Sequence, residues 1–373
     1  MKWSKTLCPD SGEAPSCPSR LSEGFDPVPD IRIGALGLSC LSGNQPFALL
    51  GAVGTSLSGA LPSSSLTAAA SGQGGESPVL RAPIPELEGL DSPGGRITCL
   101  AEAALGQALF ALSEGTDWSR VLVLTLLPPP SSPRGRALET SALEGALRTL
   151  HPGLVQASFR FAEAEAGAVV RLKEIGQALA GGRWEAVLFG GADSLVDVGT
   201  CGTLIGKGRI ATVAAAGLFP GEGAAYLLLQ GGGAGTPGRA RIAGAGHAPE
   251  PHPGEADSHP MTGLHAAIEA ALAEAKRAAA DLAVVVLPFG AETSGPLEWH
   301  QVTQRLWAPS SASVVRPAEL HPSLVLGELG AAALPVALVL GCARLDFRHP
   351  AAGTVLVCEG GDHPQRGAVL LTL

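Results

Sequence analysis

The chain has 373 residues, of which 46% are hydrophobic, 4% aromatic and 16% charged, with a formal net charge of −9. That is more chain than one small core needs and too apolar for a disordered one, so two domains or one duplicated unit is expected. The acidic balance, with no clustered Lys and Arg, excludes an electrostatic nucleic-acid binder, which must neutralise phosphates.

Residues 1–29 are polar and rich in Pro and Ser, without the apolar centre of a signal peptide, and are expected to be a flexible tail. Ile31–Ser39 reads as a first strand, and residues 40–95 show poor periodicity. Ile97–Ser113 carries Leu100, Ala104, Leu105, Ala108 and Leu112 on one stripe and reads as an amphipathic helix. Arg120–Leu127 reads as a buried strand stopped by Pro128–Pro130, and Thr140–Leu150 as a short helix. A strand over Leu154–Phe161 and a helix over Ala166–Ala180 follow. A further strand, Ala186–Phe189, runs into a turn beginning Gly190–Gly191–Ala192–Asp193, and Gly223–Gln230 is another strand. Gly231–Gly238 reads as a linker; no GK[ST] follows its glycines, so it is no phosphate loop.

The second part repeats the first. Arg241–His247 matches Arg32–Leu38, the helix Gly263–Ala278 matches 97–113, and the strand Leu282–Leu287 with its following proline matches 121–127. The helix Gly330–Gly341 matches 166–180, Thr354–Val357 matches Val187–Phe189, and Gly367–Leu373 matches Gly223–Leu229. Six elements in one order imply a duplicated β-α-β plan, with halves at 30–230 and 239–373. Two sheets with helices buried between them would explain the load of Ala and Gly, because covered helices need small residues for close approach.

Seven cysteines, at 8, 17, 40, 99, 201, 342 and 358, form no CxxC pair and read as mostly buried free thiols in a reducing cytoplasm. The longest apolar runs, Phe47–Leu61 and Gly330–Cys342, are too short or too broken by Gly, Ser and Pro to span a bilayer, so no membrane association is expected. No HExxH or HxH spacing occurs, and neither a metal nor a cofactor is expected.

The duplication, the strand Ile31–Ser39, the GGADS segment at 190–194, FPGEGAAYLLL at 219–229 and LGELGAAALPVALVLG at 326–341 resemble the thiolase superfamily, in particular the beta-ketoacyl synthases and their chain-length-factor relatives. The resemblance covers residues 31–373. It implies an α/β fold, a five-layered αβαβα sandwich from two duplicated halves, usually dimeric. It also implies a chemistry of three parts. A cysteine thiolate at a buried helix N-terminus takes the acyl chain, two histidines assist malonyl decarboxylation, and backbone amides near a glycine loop form an oxyanion hole.

Carried onto this sequence, the nucleophile position falls at Glu165, or at Ala164 with a shift of one residue. The first histidine position, in an HGTGT pattern, falls at Phe289. The second, before Gly330–Ala331, falls at Gly327 or a neighbour, Leu326 or Glu328, and the supporting lysine is replaced by Pro322 or His321. The glycine loop survives in part as Gly360 and Gly361, with Glu359 where a phenylalanine is usual. All the catalytic positions are therefore degenerate, and no other catalytic residue is assigned. Glu163 and Glu165 could act as an acid/base pair if buried, but a favourable charge near the helix N-terminus is the expectation. The histidines at 247, 252, 259, 265, 300 and 321 crowd the second half without a catalytic spacing, and Cys201 is expected to be packing.

These readings imply a catalytically inactive, ketosynthase-like binding, adaptor or scaffold protein. Such a protein resembles stand-alone thiolase-like proteins encoded beside type VI secretion effectors. The alternatives are a chain-length-factor-like subunit of a ketosynthase heterodimer and an acyltransferase with relocated residues. The partner is expected to be a second copy in a homodimer, or a ketosynthase, an acyl carrier protein or a secreted effector.

Overall fold

The computed structural model describes residues 30–69, 75–112, 115–232, 238–290, 292, 294–307, 316–347 and 353–373. The expected tail, 1–29, lies outside them, as do residues 233–237 of the expected linker and Ser113 at the end of the expected first helix.

The first half holds β1 (Ile31–Cys40), α1 (Pro46–Gly54), β2 (Leu61–Ala69), β3 (Glu76–Arg81), α2 (Pro93–Leu109) and β4 (Val121–Leu127). It continues through α3 (Pro133–Arg136), α4 (Thr140–Arg148), β5 (Ser158–Glu163), α5 (Ala168–Ala180), β6 (Ala186–Ser194), α6 (Val198–Gly206) and β7 (Glu222–Gly231). The second half holds β8 (Ala240–Pro249), α7 (Gly263–Ala275), β9 (Val284–Val286), α8 (Ser294–Leu306), β10 (Ala318–Leu320), α9 (Ser323–Leu326), α10 (Ala333–Asp346), β11 (Val355–Glu359) and β12 (Gln365–Thr372).

Ten strands form one sheet in the order β10-β9-β11-β12-β8-β1-β7-β6-β4-β5. The order is a palindrome about the β8–β1 pair, so β1 stands for β8, β7 for β12, β6 for β11, β4 for β9 and β5 for β10. The expected two sheets are thus joined into one, because the leading strands of the two halves pair antiparallel at Ile31–Ile242, Arg32–Arg241 and Ile33–Ala240.

Side-chain alternation along these strands builds three cores. On β7, Ala225, Leu227 and Leu229 enter a central core while Ala224, Tyr226 and Leu228 enter an outer one. On β12, Val369 and Leu371 enter the same central core and Ala368 and Leu370 a second outer one. Strands buried on both faces read as unbroken apolar runs, as VLVLTLL of β4 does. The central core is filled by α5 and α10. The α10 helix touches β6 and β7 on one side and β11, β12 and β9 on the other, and is buried on nearly every face. With α2 covering the first half and α7 the second, the architecture is an αβαβα sandwich in five layers.

Glycines set the spacing of the outer layers in both halves. A Cβ on Gly37 would come 1.8 Å from the carbonyl oxygen of Ala104 in α2, and one on Gly246 would come 2.0 Å from that of Ala267 in α7. These two glycines occupy the same place in the repeat, so the duplication extends to the backbone contact itself.

Two expectations change. The GGADS segment is no turn: β6 runs through all of it, buried throughout. Its glycines serve close approach, since a Cβ at Gly190 would meet the Ala225 carbonyl at 2.4 Å and one at Gly191 the Ala331 carbonyl at 2.3 Å. The irregular region 40–95 folds as α1 and the hairpin β2–β3, which lies outside the main sheet. No helix among the described residues is long and apolar enough to cross a membrane.

Candidate functional site

A cavity of about 580 Å³ opens at the carboxyl ends of the parallel strands of both halves, the place where α/β sheets bind ligands. From the first half come Leu126 of β4 and Pro128 and Pro129 after it, Ala164 and Glu165 after β5, Arg134 of α3, and Thr200, Thr203 and Leu204 of α6. From the second come Phe289 and Gly290 after β9, Glu328 and Gly330–Ala331 before α10, and Glu359 to His363 at the end of β11.

The positions singled out in the sequence therefore meet. Ala164 and Glu165 from one half face the same space as Phe289, Gly360 and Gly361 from the other. Neither Ala164 nor Glu165 begins α5: they sit on a preceding 3-10 turn, with Glu165 exposed, and Gly167 turns the chain into the helix at φ +95. Glu163 is exposed as well, so the two carboxylates form no buried pair. Phe289 lies over the glycine loop, where a Cβ on Gly360 would come 2.7 Å from its ring.

At Gly327 φ is +78, and a Cβ there would lie 2.8 Å from the Gly221 nitrogen and the Phe219 carbonyl oxygen, so the backbone leaves no room for a side chain at this degenerate position. Leu326 is in the central core. The neighbour that faces the cavity is Glu328, whose backbone N–H donates to Phe219 at 2.9 Å and whose carbonyl accepts from Gly221 at 3.0 Å.

The N-terminus of α5 is already occupied. The Glu359 carboxylate accepts from the Ala168 N–H at 2.6 Å and the Val169 N–H at 3.0 Å, closing the helix end that would otherwise stabilise an anion. Burial outweighs these bonds and pushes the Glu359 carboxyl up to about 7. Burial, with Asp362 and Glu292 adding negative charge nearby, also raises Glu328 to about 7, although Gly330 N–H donates to it and Arg134 lies close. His363 is driven down to about 4 by burial and by Arg366, so it is a neutral imidazole at the cavity wall, with an Nδ1 that has no hydrogen-bond partner among the described residues.

The cations of the site are mostly committed. Arg134 donates to Asp193 at 2.7 Å, and Asp193 in turn accepts from the Ala331 N–H at 3.0 Å. Arg209 bridges Glu292 and Asp362. Arg366 pairs with Glu298 at 2.7 Å and donates to the His363 carbonyl. Among the described residues Glu328 has no salt bridge, and the cavity lining carries more carboxyl groups than cations.

Among the described residues, no cysteine lines the cavity. Cys201 packs with Val79 and Ile210, and burial lifts its thiol to about 11. Burial raises Cys40, Cys342 and Cys358 too, so these are thiols and poor nucleophiles. Of the expected lysine replacements, His321 pairs with Glu319 and Pro322 starts α9, both away from this cavity. Sequence reasoning missed His363 and the role of Glu359; a histidine four residues after a glutamate at a strand end was the available signal.

No family model matches the sequence, and no curated protein matches it. Solved structures do match. A type II polyketide ketosynthase in complex with its acyl carrier protein, bound to the hexaketide, has a TM-score of 0.72 at 12% identity, over 93% of this chain and 99% of that one. A ketosynthase in complex with its chain length factor from Xenorhabdus doucetiae has a TM-score of 0.69 at 14% identity, over 92% and 98%. A beta-ketoacyl synthase from Burkholderia phymatum STM815 has a TM-score of 0.69 at 16% identity, over 92% and 99%.

Proposed function

The chain has the thiolase-type fold shared by ketosynthases and chain length factors, and from that premise we propose that it performs no condensation and acts by binding a protein partner, as a chain-length-factor-like subunit does. One observation carries the reading: the Glu359 carboxylate caps α5 where the resemblance puts an acyl-accepting thiolate. A carboxyl group bonded to the first two N–H groups of that helix takes up the donors that would otherwise favour a thiolate or hold an oxyanion.

The rest of the cavity agrees. Phe289 has no proton to give or take, so it cannot assist decarboxylation as a histidine does. The lining carries six carboxyl side chains against Arg134, Lys207, Arg209 and Arg366, a balance that does not favour a malonyl carboxylate. The neighbours that pair a ketosynthase with a chain length factor or a carrier protein supply the kind of partner. The surface this reading assigns to that partner is the outer edge of β5, one of the two terminal strands of the sheet, which among the described residues pairs only with β4.

The test is decarboxylation of a malonyl thioester by the purified full chain. The expected rate equals that of buffer; saturable turnover would overturn the proposal. The second reading, acyl transfer by relocated residues, draws on Glu328 and neutral His363 in one cavity. It requires that Glu328→Gln abolish turnover of an acyl thioester that the unaltered chain accepts.

A further inference from the structure

The segment between β8 and α7 brings together three side chains that neither the fold nor the cavity chemistry uses. His252, Glu255 and His259 place their ligand atoms within 4.8 Å of one another. Glu255 Oε2 is 3.0 Å from His259 Nδ1 and 3.9 Å from His252 Nδ1. The two imidazoles stack with centroids 4.0 Å apart and planes 13° from parallel, so their nitrogens lie side by side against the carboxylate.

We propose that His252, Glu255 and His259 form a zinc-type divalent-metal site on the rim of the cavity. Zn²⁺ bound to nitrogen and carboxylate oxygen at about 2.0–2.1 Å in a tetrahedron places its ligands roughly 3.3 Å from one another. The two separations to Glu255 bracket that value, so small side-chain rotations complete the set. Two imidazole nitrogens with one carboxylate suit zinc or cobalt better than magnesium or calcium, which take oxygen. The three side chains are 40–55% exposed, which leaves the fourth position open to water. The Ser258 hydroxyl, 3.3 Å from His259 Nδ1, is the group an ion would displace.

The loop is held ready. Glu250, buried at its base, accepts from the His252 N–H at 3.2 Å and from the N–H groups of Thr262 and Gly263 at 2.8 Å each, which ties both ends of the loop together. Gln301 of α8 donates to the carbonyls of Ala256 at 3.0 Å and His259 at 3.4 Å and accepts from Met261 N–H at 2.8 Å. Gly254, at φ +82, makes the bend between the first two ligands and itself lines the cavity. A bound ion therefore fastens a stretch of the cavity wall.

The test uses the chelator-stripped full chain titrated with Zn²⁺, Co²⁺ and Mg²⁺, followed by calorimetry and by the visible absorption of Co²⁺. The expected result is one-to-one binding of Zn²⁺, a four-coordinate Co²⁺ spectrum and no binding of Mg²⁺. The double variant His252→Ala, His259→Ala should bind Zn²⁺ at least about tenfold more weakly and lose the Co²⁺ spectrum. Circular dichroism checks its fold, and His259→Gln stands in if the double variant unfolds. Equal affinity in the variants, or no one-to-one binding by the unaltered chain, overturns the site.

Discussion

Glu222→Ala is expected to lower the unfolding free energy by about 3–5 kcal/mol, read by chemical denaturation. Glu222 is 0% exposed and joins three elements. Its carboxylate accepts from the Ile84 N–H at 2.7 Å, from Arg96 Nε at 2.8 Å and from Ser194 Oγ at 2.8 Å, with a further bond from Arg96 Nη2. Arg96 of α2 also donates to the carbonyls of Leu87 at 2.6 Å and Leu90 at 3.0 Å. Removing the carboxylate leaves a buried guanidinium without its counter-charge and an orphaned N–H, and that loss of pairing sets the size of the effect. Replacing both partners with apolar residues, Arg96→Met with Glu222→Leu, should therefore cost less than Glu222→Ala alone. A Glu222→Ala midpoint no different from that of an exposed control such as Glu88→Ala would contradict this role.

Glu328→Gln is expected to stabilise the protein above neutral pH. Burial, with Asp362 and Glu292, raises this carboxyl from 4.5 to about 7 in the folded chain. Between those values the fold binds a proton that the unfolded chain has lost, so stability falls as pH rises through that window. Below about 4.5 the group is protonated in both states and its contribution is fully present. Glutamine keeps an oxygen for the Gly330 N–H and has no charge to desolvate. At pH ~8 the variant should exceed the parent by about 1–3 kcal/mol, and near pH ~4 the two should coincide. Glu359 is raised to a similar value and should leave part of the slope in the variant. Identical stability curves across the range would contradict burial of Glu328.

The duplication was legible because it is written in apolar runs and glycines. Strands covered on both faces leave unbroken Val and Leu, and Gly37 and Gly246 mark the same helix contact in each half. The same glycine signal misled at Gly190–Gly191, since a glycine needed for close approach reads like one needed for a turn. Matching by spacing left Gly327, Leu326 and Glu328 open for the lost histidine position, and only the path of the chain singles out Glu328 as the one that faces the cavity. The Glu359 cap joins residues nearly two hundred positions apart, and no local pattern announces a partner so distant. The cluster of His252, Glu255 and His259 was missed although its residues are three and four positions apart, because they occupy a loop held by Glu250 and Gln301, where no apolar periodicity marks them out.

The proposed lack of condensing chemistry rests on a cavity lined from both halves, in which Glu359 caps α5 and Phe289 and Glu328 form part of the wall. Intact-mass spectrometry of the full chain after incubation with a reactive acyl thioester tests it most directly. The account predicts an unchanged mass. An added acyl group on any residue lining the cavity would contradict it.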